Sequence, residues 1–361
     1  MKKILILANN DVGLYKFRKE LIEELLKENE VYISLPYGEL VDKLISMGCK
    51  FIDTSIDRRS KNPLKDIFLL IKYKKIIREI KPDIILTYTI KPNIYGSIAS
   101  GGKIPVISNI TGLGSALENP GVTQKITLLL YKIALPKMKV VFFQNIENVN
   151  FFINHNLKMN KYILIPGSGV NLNYYKPIDY PSNASTEFVF ISRVMKEKGI
   201  EQYLDMAKYI HSKYPKTKFH ICGFCEEKYE RILKNLQNEN IIIYHGLVDD
   251  IREILKITHC TIHPTYYPEG MSNVLLESCA CARPIITTDR SGCKEIVDNN
   301  VNGYIIKQKD SRDLINKVEI FINLEYEKKK ALGIHARKKV EKEFDRNIVI
   351  KKYLKVINEE L

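Results

Sequence analysis

Short apolar runs alternate with amphipathic stretches of helical length along almost all of this 361-residue chain, and that alternation constrains its fold more than any other feature. Lys3-Ile-Leu-Ile-Leu-Ala8 is an apolar run of the buried-strand kind, and it leads through Asn9-Asn10-Asp11-Val12-Gly13 into a helical pattern from Tyr15 to Lys27. The unit repeats, with strands expected near 31–35, 50–54, 83–87, 105–109 and 139–143 and helices near 38–47, 63–80, 92–100, 120–135 and 145–155. Pro166-Gly167-Ser168-Gly169-Val170-Asn171 and the segment to Ser185 interrupt the series and read as a connection between domains. A second series has strands expected near 188–191, 217–222, 241–244, 259–263, 284–287 and 303–306. Its helices fall near 199–213, 226–237, 248–256, 272–281, 291–298 and 310–323, and residues 325–361 read as helical and charged. Strands alternating with helices imply an α/β chain of two doubly wound parallel sheets with right-handed crossovers. Ligands then belong beyond the carboxyl ends of the strands.

The loops at those ends carry the chemistry. In Thr261-Ile-His263-Pro-Thr-Tyr-Tyr-Pro-Glu269-Gly270-Met271-Ser272-Asn273-Val-Leu-Leu-Glu277 an apolar run passes through a loop into a helix start. The N–H groups of Met271, Ser272 and Asn273 at a helix end, behind the turn residue Gly270, suit a phosphate. Glu269 precedes them, and Glu277, eight residues on, falls two turns later on nearly the same face. Taken alone, a surface glutamate and an ordinary cap explain the same residues. After the strand near 188–191 come Arg193 and Lys198, two cations at a strand end that can clamp a diphosphate; a solvated pair is the plainer alternative. In the first half, Asn9, Asn10, Phe17 and Arg18, then Lys91 to Gly96, then Asn109 to Gly114 form polar loops after successive strands. They outline an acceptor pocket.

Net charge is +14 and unevenly placed: residues 1–170 hold 25 Lys and Arg against 15 Asp and Glu, and residues 171–361 hold 31 against 27. Nine cations lie between Arg58 and Lys81 among Ile67, Phe68, Leu69 and Leu70, a pattern that can lie on an anionic bilayer or approach a lipid diphosphate. No apolar run reaches the roughly 18 to 20 residues of a membrane span, and the first residues are too short and strand-like for a secretory signal. The expected location is the cytosol, at the inner face of the cell membrane. Seven cysteines without a spacing framework agree with a reducing compartment, and Cys222-Gly-Phe-Cys225 reads as two structural cysteines beside a turn.

The Glu269-to-Glu277 stretch resembles the E-x7-E motif of the retaining glycosyltransferases of family 4, with Ala282 standing where that family usually has glycine in the A-x-G-x-P-V-I continuation. Arg193 to Gly199 is similar to the same family's R-x4-K-G diphosphate clamp. The resemblance implies the GT-B fold, with two Rossmann-like domains facing each other across a cleft. It places an acceptor domain at residues 1–168, a nucleotide-sugar domain at 169–343, and a last helix at 344–361 crossing back to the first. It implies Arg193 and Lys198 on the diphosphate, Glu269 on the donor sugar, Gly270 to Asn273 with Gly13 around the donor, Glu277 on the ribose, and Gly223, Leu247 and Val248 at the base. The loops of the first half and Arg59-Ser60-Lys61-Asn62-Pro63 look like the subgroup that builds capsule, O-antigen and N-glycan precursors on undecaprenyl diphosphate. For that subgroup Asn10, Phe17, Arg18, Arg59, Lys91 and Thr111 are the expected acceptor residues, a UDP-sugar the expected donor, and N-acetylgalactosamine the best guess for the sugar. Many members have a histidine where this chain has Thr111, which cannot shuttle a proton near neutral pH. With no D-x-D motif at a strand end, the expected transfer needs no metal and no cofactor.

Three other classes of reading compete, the first being another enzyme of the same fold. A UDP-sugar 2-epimerase of the same fold would lack both motifs, and a phosphorylase would need a longer chain and a lysine for pyridoxal phosphate. A nucleic-acid binder would interleave its charge with stacking aromatics, which this chain does not. A sugar-nucleotide-binding scaffold without turnover is the third.

Overall fold

A computed structural model describes residues 1–56 and 62–361. The first sheet runs through β1 (Lys2–Leu7), β2 (Asn29–Leu35), β3 (Lys50–Asp53), β4 (Ile84–Tyr88), β5 (Val106–Ile110), β6 (Val140–Phe143) and β7 (Tyr162–Leu164). All seven are parallel in the order β3-β2-β1-β4-β5-β6-β7, so the winding reverses between β1 and β4. Ile4 and Ile6 face one core and Leu5 and Leu7 the other, all fully buried, which is why this run shows no polar alternation. β7 was not expected from the sequence. It is three residues long, with Tyr162 and Leu164 exposed at the sheet edge, too little pattern to read.

The second sheet holds β8 (Thr186–Ile191), β9 (Thr217–Cys222), β10 (Ile243–Tyr244), β11 (Cys260–His263), β12 (Ile285–Thr288) and β13 (Gly303–Ile306). It too is parallel, in the order β10-β9-β8-β11-β12-β13. β8 and β11 are neighbours at its switch point although about 70 residues separate them, and this adjacency builds the site described below. Where a helix was expected near 291–298 there is only a short turn at Lys294–Ile296. Glu295 reaches back to accept from the Gly292 N–H at 2.7 Å and from Ser291 Oγ at 3.1 Å, so the segment closes on itself instead of winding on.

The chain divides into two compact units, Met1–Ser168 with Asn347–Leu361, and Gly169–Arg346. The last helix, Arg346–Glu360, gives Val349, Ile350, Tyr353, Val356 and Ile357 to the core of the first unit. Tyr353 stacks 4.4 Å from Phe142 and accepts from Asn109 Nδ2 at 2.5 Å. Seven free cysteines are all buried.

Ala282, the alanine at the family's glycine position, follows the helix Asn273–Ala280 with φ 58°, a left-handed conformation that costs a residue with a Cβ about 1–2 kcal/mol. Ala282→Gly should therefore raise the stability of the second unit by about 1 kcal/mol, part of the relief being offset by the extra freedom of glycine in the unfolded chain. Urea unfolding of the two proteins measures the difference.

Candidate active site

The site begins with a glycine. Gly199 follows the turn Lys196–Lys198 with φ 79°, and a Cβ on it would lie 2.1 Å from the carbonyl oxygen of Pro264. Only glycine lets the two loops touch there. The Tyr266 N–H and the Thr265 hydroxyl both donate to the Glu197 carbonyl, at 2.9 and 3.3 Å, and complete the seam between the loop after β8 and the loop after β11. As a result Lys198 is drawn against Glu269, and its ammonium bonds Oε1 directly. The side chains are 12% and 17% exposed, so this is a nearly buried ion pair. Arg193 is exposed, and its guanidinium stands 5.8 Å from the ring centre of Tyr267 while Lys198 Nζ stands 4.8 Å from the same ring. Tyr267 thus seats both cations.

Burial alone would push the Glu269 carboxyl upward. The Lys198 ammonium outweighs it and holds the carboxyl well below its usual range. His263 ends β11, fully inside, with Nε2 3.9 Å from Glu269 Oε1, too far for a hydrogen bond; burial lowers its pKa and keeps the ring neutral. His263 ends an apolar strand, and only its three-dimensional position shows that it floors the same pocket.

The helix Asn273–Ala280 starts where expected, with Ser272 as its cap residue in extended conformation, but the cap needs correcting. Its side chain makes no capping bond, and its N–H is not open to a ligand, since it donates to the Gly292 carbonyl at 2.8 Å. Met271 is buried in the adjoining core. The left-handed backbone falls at Gly292 (φ 87°), not at Gly270, and a Cβ on Gly292 would press within 2.9 Å of Glu269 Cβ. The loop after β12 therefore backs the glutamate. Glu277 lies beside the half-buried phenol of Tyr175, whose pKa burial and then the carboxylate push up.

Gly223 ends β9 with φ 140°, its N–H on the Gly246 carbonyl at 2.7 Å. That bond ties it to the loop carrying Leu247, which is 77% exposed, and Val248, which packs on a small apolar cluster with Ile251 and Ile254. A network not seen in the sequence lies behind: His220 Nδ1 meets His245 Nε2 at 2.9 Å and His220 Nε2 meets Glu187 at 2.8 Å, although His220 carries no local pattern.

In the first unit Asn10, Lys91 and Thr111 all follow strand ends, but several are already engaged. Asn10 Oδ1 caps the helix Asp11–Leu26 by accepting from the Gly13 N–H at 2.6 Å, so both residues serve the helix start. Arg18 is 5% exposed, with its guanidinium 5.1 Å from the Tyr88 ring and 5.9 Å from that of Tyr353, and it donates to the Phe17 carbonyl at 2.8 Å. It is built into the core beside the strand ends, not presented at a surface. Lys91 pairs with Asp66 at 2.8 Å. Thr111 is half-buried, and Arg59 lies outside the described residues. Among the described residues no group of three or more His, Cys, Asp and Glu is placed to hold a metal ion.

Two doubly wound units with a cation pair and an acidic loop at the switch point of the second define the GT-B class of sugar-transferring enzymes. Residues 3–145 match the family model described as glycosyl transferase 4-like, and residues 181–339 match that described as glycosyl transferases group 1. The chain belongs to this glycosyltransferase family. It is 28% identical over 379 aligned positions, covering 98% of both chains, to the N,N'-diacetylbacillosaminyl-diphospho-undecaprenol alpha-1,3-N-acetylgalactosaminyltransferase of Campylobacter jejuni. Among solved structures it is similar to a glycosyltransferase from Rickettsia africae (TM-score 0.82, 20% identity, 99% and 98% coverage). It is also similar to HepE of Anabaena in complex with UDP (TM-score 0.80, 18% identity, 99% and 100% coverage).

Because the folded-state pKa of Glu269 is depressed, its pairing contributes stability above the unfolded value of about 4.3 and loses it as pH falls through the folded value. Lys198→Met takes the ammonium away from a nearly buried carboxylate and should cost about 3 kcal/mol at pH 7. The gap to the unsubstituted protein should begin to narrow above the ordinary carboxylate range as pH falls, because burial raises the Glu269 carboxyl once the ammonium is gone and the folded variant takes up a proton first. Urea unfolding at several pH values reads both effects.

Proposed function

We propose that the enzyme transfers a hexose or N-acetylhexosamine, N-acetylgalactosamine being the first choice, from a UDP-sugar to a sugar carried on a membrane lipid diphosphate. The product retains the donor's anomeric configuration and belongs to surface-polysaccharide or glycan assembly. The observation that carries this reading is the meeting of Arg193, Lys198 and Glu269 around Tyr267 at the carboxyl ends of β8 and β11. Two cations and an acid in one pocket match a diphosphate joined to a sugar: Arg193 and Lys198 neutralise charge growing on the departing diphosphate, work that a metal does elsewhere, and Glu269 holds sugar hydroxyls. Glu277 beside Tyr175 serves the ribose, and Gly223 with Leu247 and Val248 the base. Gly270 to Asn273 and Gly13 complete the donor contacts, and Asn10, Phe17, Arg18, Lys91 and Thr111 outline the acceptor side. Thr111 is no proton acceptor near neutral pH, so a donor phosphate oxygen takes the acceptor proton on the face the diphosphate leaves. The Campylobacter relative's name supplies the lipid-linked acceptor and the sugar.

The membrane reading has support of its own. Leu64, Ile67, Phe68 and Ile71 line the outer side of the helix Pro63–Ile80, and Val122, Ile126, Leu129 and Ile133 that of the helix Val122–Ala134; all eight are exposed. The inner sides of both helices pack into one cluster, so the two stripes lie over the same face of the first sheet. Lys65, Lys72, Lys74, Lys75 and Arg78 flank the first stripe and Lys125 and Lys132 the second, whose helix has no acidic residue. Apolar stripes rimmed by cations suit an anionic bilayer surface. No helix among the described residues is long and apolar enough to cross a membrane.

A thermal-shift panel of UDP-, GDP- and dTDP-sugars should show stabilisation by a UDP-sugar. Transfer to a synthetic undecaprenyl-diphosphate sugar should proceed in EDTA and fall about 100-fold with Arg193→Ala. If no nucleotide sugar stabilises the protein, the donor assignment fails. In flotation with vesicles containing anionic lipid, Phe68→Ser with Leu129→Ser should cut binding at least about tenfold, each lost contact being worth roughly 1.5–3 kcal/mol, and should leave UDP binding unchanged.

A further inference from the structure

Glu187, on β8, is 8% exposed and has its two oxygens assigned to different partners. Oε1 takes the Ser185 hydroxyl at 2.7 Å and the Lys218 ammonium at 3.1 Å, and Oε2 meets His220 Nε2 at 2.8 Å. Burial would raise this carboxyl, but the bonds from His220, Ser185 and Lys218 hold it down at about 2, so at neutral pH it only accepts. The donors along the chain follow from that one acceptor. An imidazole is mostly uncharged at neutral pH, and the Lys218 ammonium already balances Glu187, so His220 carries a single proton. Oε2 claims it on Nε2, which leaves His220 Nδ1 as an acceptor. His245 Nε2, 2.9 Å away in a ring tilted by only 12°, is then the N–H that fills it. Burial lowers the His245 pKa and keeps that ring neutral too. Its one proton points inward. His245 Nδ1 is left as a bare acceptor, without a partner among the described residues, on a half-buried side chain at the carboxyl end of β10.

What that acceptor meets follows from the neighbouring backbone. Gly246, the next residue, accepts from the Gly223 N–H and joins the loops after β9 and β10, and Leu247 beyond it is 77% exposed. β10 lies two strands from β8, so at about 4.8 Å per strand His245 stands roughly 10 Å along the strand ends from the strand that leads to Arg193. A nucleotide with its diphosphate at Arg193 reaches that far with its base. A base lying there turns one edge to Nδ1, and only an edge that carries an N–H can bond it. We propose that His245 is a base-specificity residue: Nδ1 accepts the N3–H of uracil or thymine and refuses cytosine, whose N3 presents a lone pair in the same place. His220 and Glu187 are the positioning residues that set its tautomer. This rests on a nucleoside diphosphate sugar being the donor, and it makes the choice of base depend on a carboxylate two strands away.

The test uses the full chain and calorimetry with UDP, CDP and N3-methyl-UDP. The unsubstituted protein should bind UDP at least about tenfold more tightly than either analogue, the effect of one lost hydrogen bond with an acceptor left unfilled. His245→Leu should weaken UDP about tenfold and bring the three ligands within about twofold of one another. Glu187→Gln reads the relay itself. Ser185 and Lys218 keep the amide oxygen on their side, so the NH2 faces His220 Nε2, each ring changes tautomer, and His245 Nδ1 becomes a donor. In that variant CDP should bind at least as tightly as UDP. Nitrogen-15 histidine spectra should show a bare His245 Nδ1 in the unsubstituted protein and a protonated one in Glu187→Gln. Equal binding of UDP and N3-methyl-UDP by the unsubstituted protein, a leucine variant that weakens all three ligands in proportion, a glutamine variant that favours UDP as before, or a protonated Nδ1 in the unsubstituted protein would each overturn the proposal. UDP binding without discrimination between bases removes the His245 contact and leaves the donor reading standing; if no nucleotide binds, both fall.

Discussion

A lysine and a glutamate 71 positions apart meet in a pocket where each is less than one-fifth exposed, and the loops at the strand ends of the second unit are arranged around that contact. Taking two charges out of water is costly unless they find each other, so the loops that carry them have little freedom. Gly199 permits their approach, the carbonyl of Glu197 ties them, and Gly292 braces the far side. A site preorganised this way presents paired charges to a ligand without first having to gather them.

The first unit is built on the same winding but uses its strand ends differently. Several polar residues that a linear reading assigns to a ligand also hold the architecture: Asn10 caps a helix, Arg18 is buried against Tyr88 and Tyr353, and Lys91 is paired with Asp66. Tyr353 arrives from the far end of the chain, on a helix whose apolar side completes the core below β1 and β4. What this unit offers to the outside is apolar as much as polar, in two helix stripes rimmed by lysines. A surface of that kind and a charged pocket divide the demands of a reaction in which one substrate is dissolved and the other is fixed to a lipid.

The alternation of strands and helices was legible because both faces of each sheet are covered, so strands appear as unbroken apolar runs between helices of ordinary length. β7 escaped because three edge residues carry no such run, and the expected helix near 291–298 failed because Glu295 folds back on Gly292. The cations at 193 and 198 and the acids at 269 and 277 stood out because short spacings survive within single loops. The occupied N–H of Ser272 did not, since its acceptor is Gly292, twenty residues on and brought near only by the packing of β12 beside β11. What His263 and His220 face was invisible for the same reason: a lone histidine in an apolar strand carries no local signature of its neighbours.

By itself, then, the sequence determined the two-sheet architecture, the loops at which ligands could bind and the charged residues in those loops, because apolar periodicity and loop composition are local properties written within ten or twenty residues. Which of those residues touch was decided by strand order alone. β8 lies beside β11 in the sheet, so position 198 sits against position 269 and above 263, and a contact across seventy residues of chain depends on that order and not on any spacing along it.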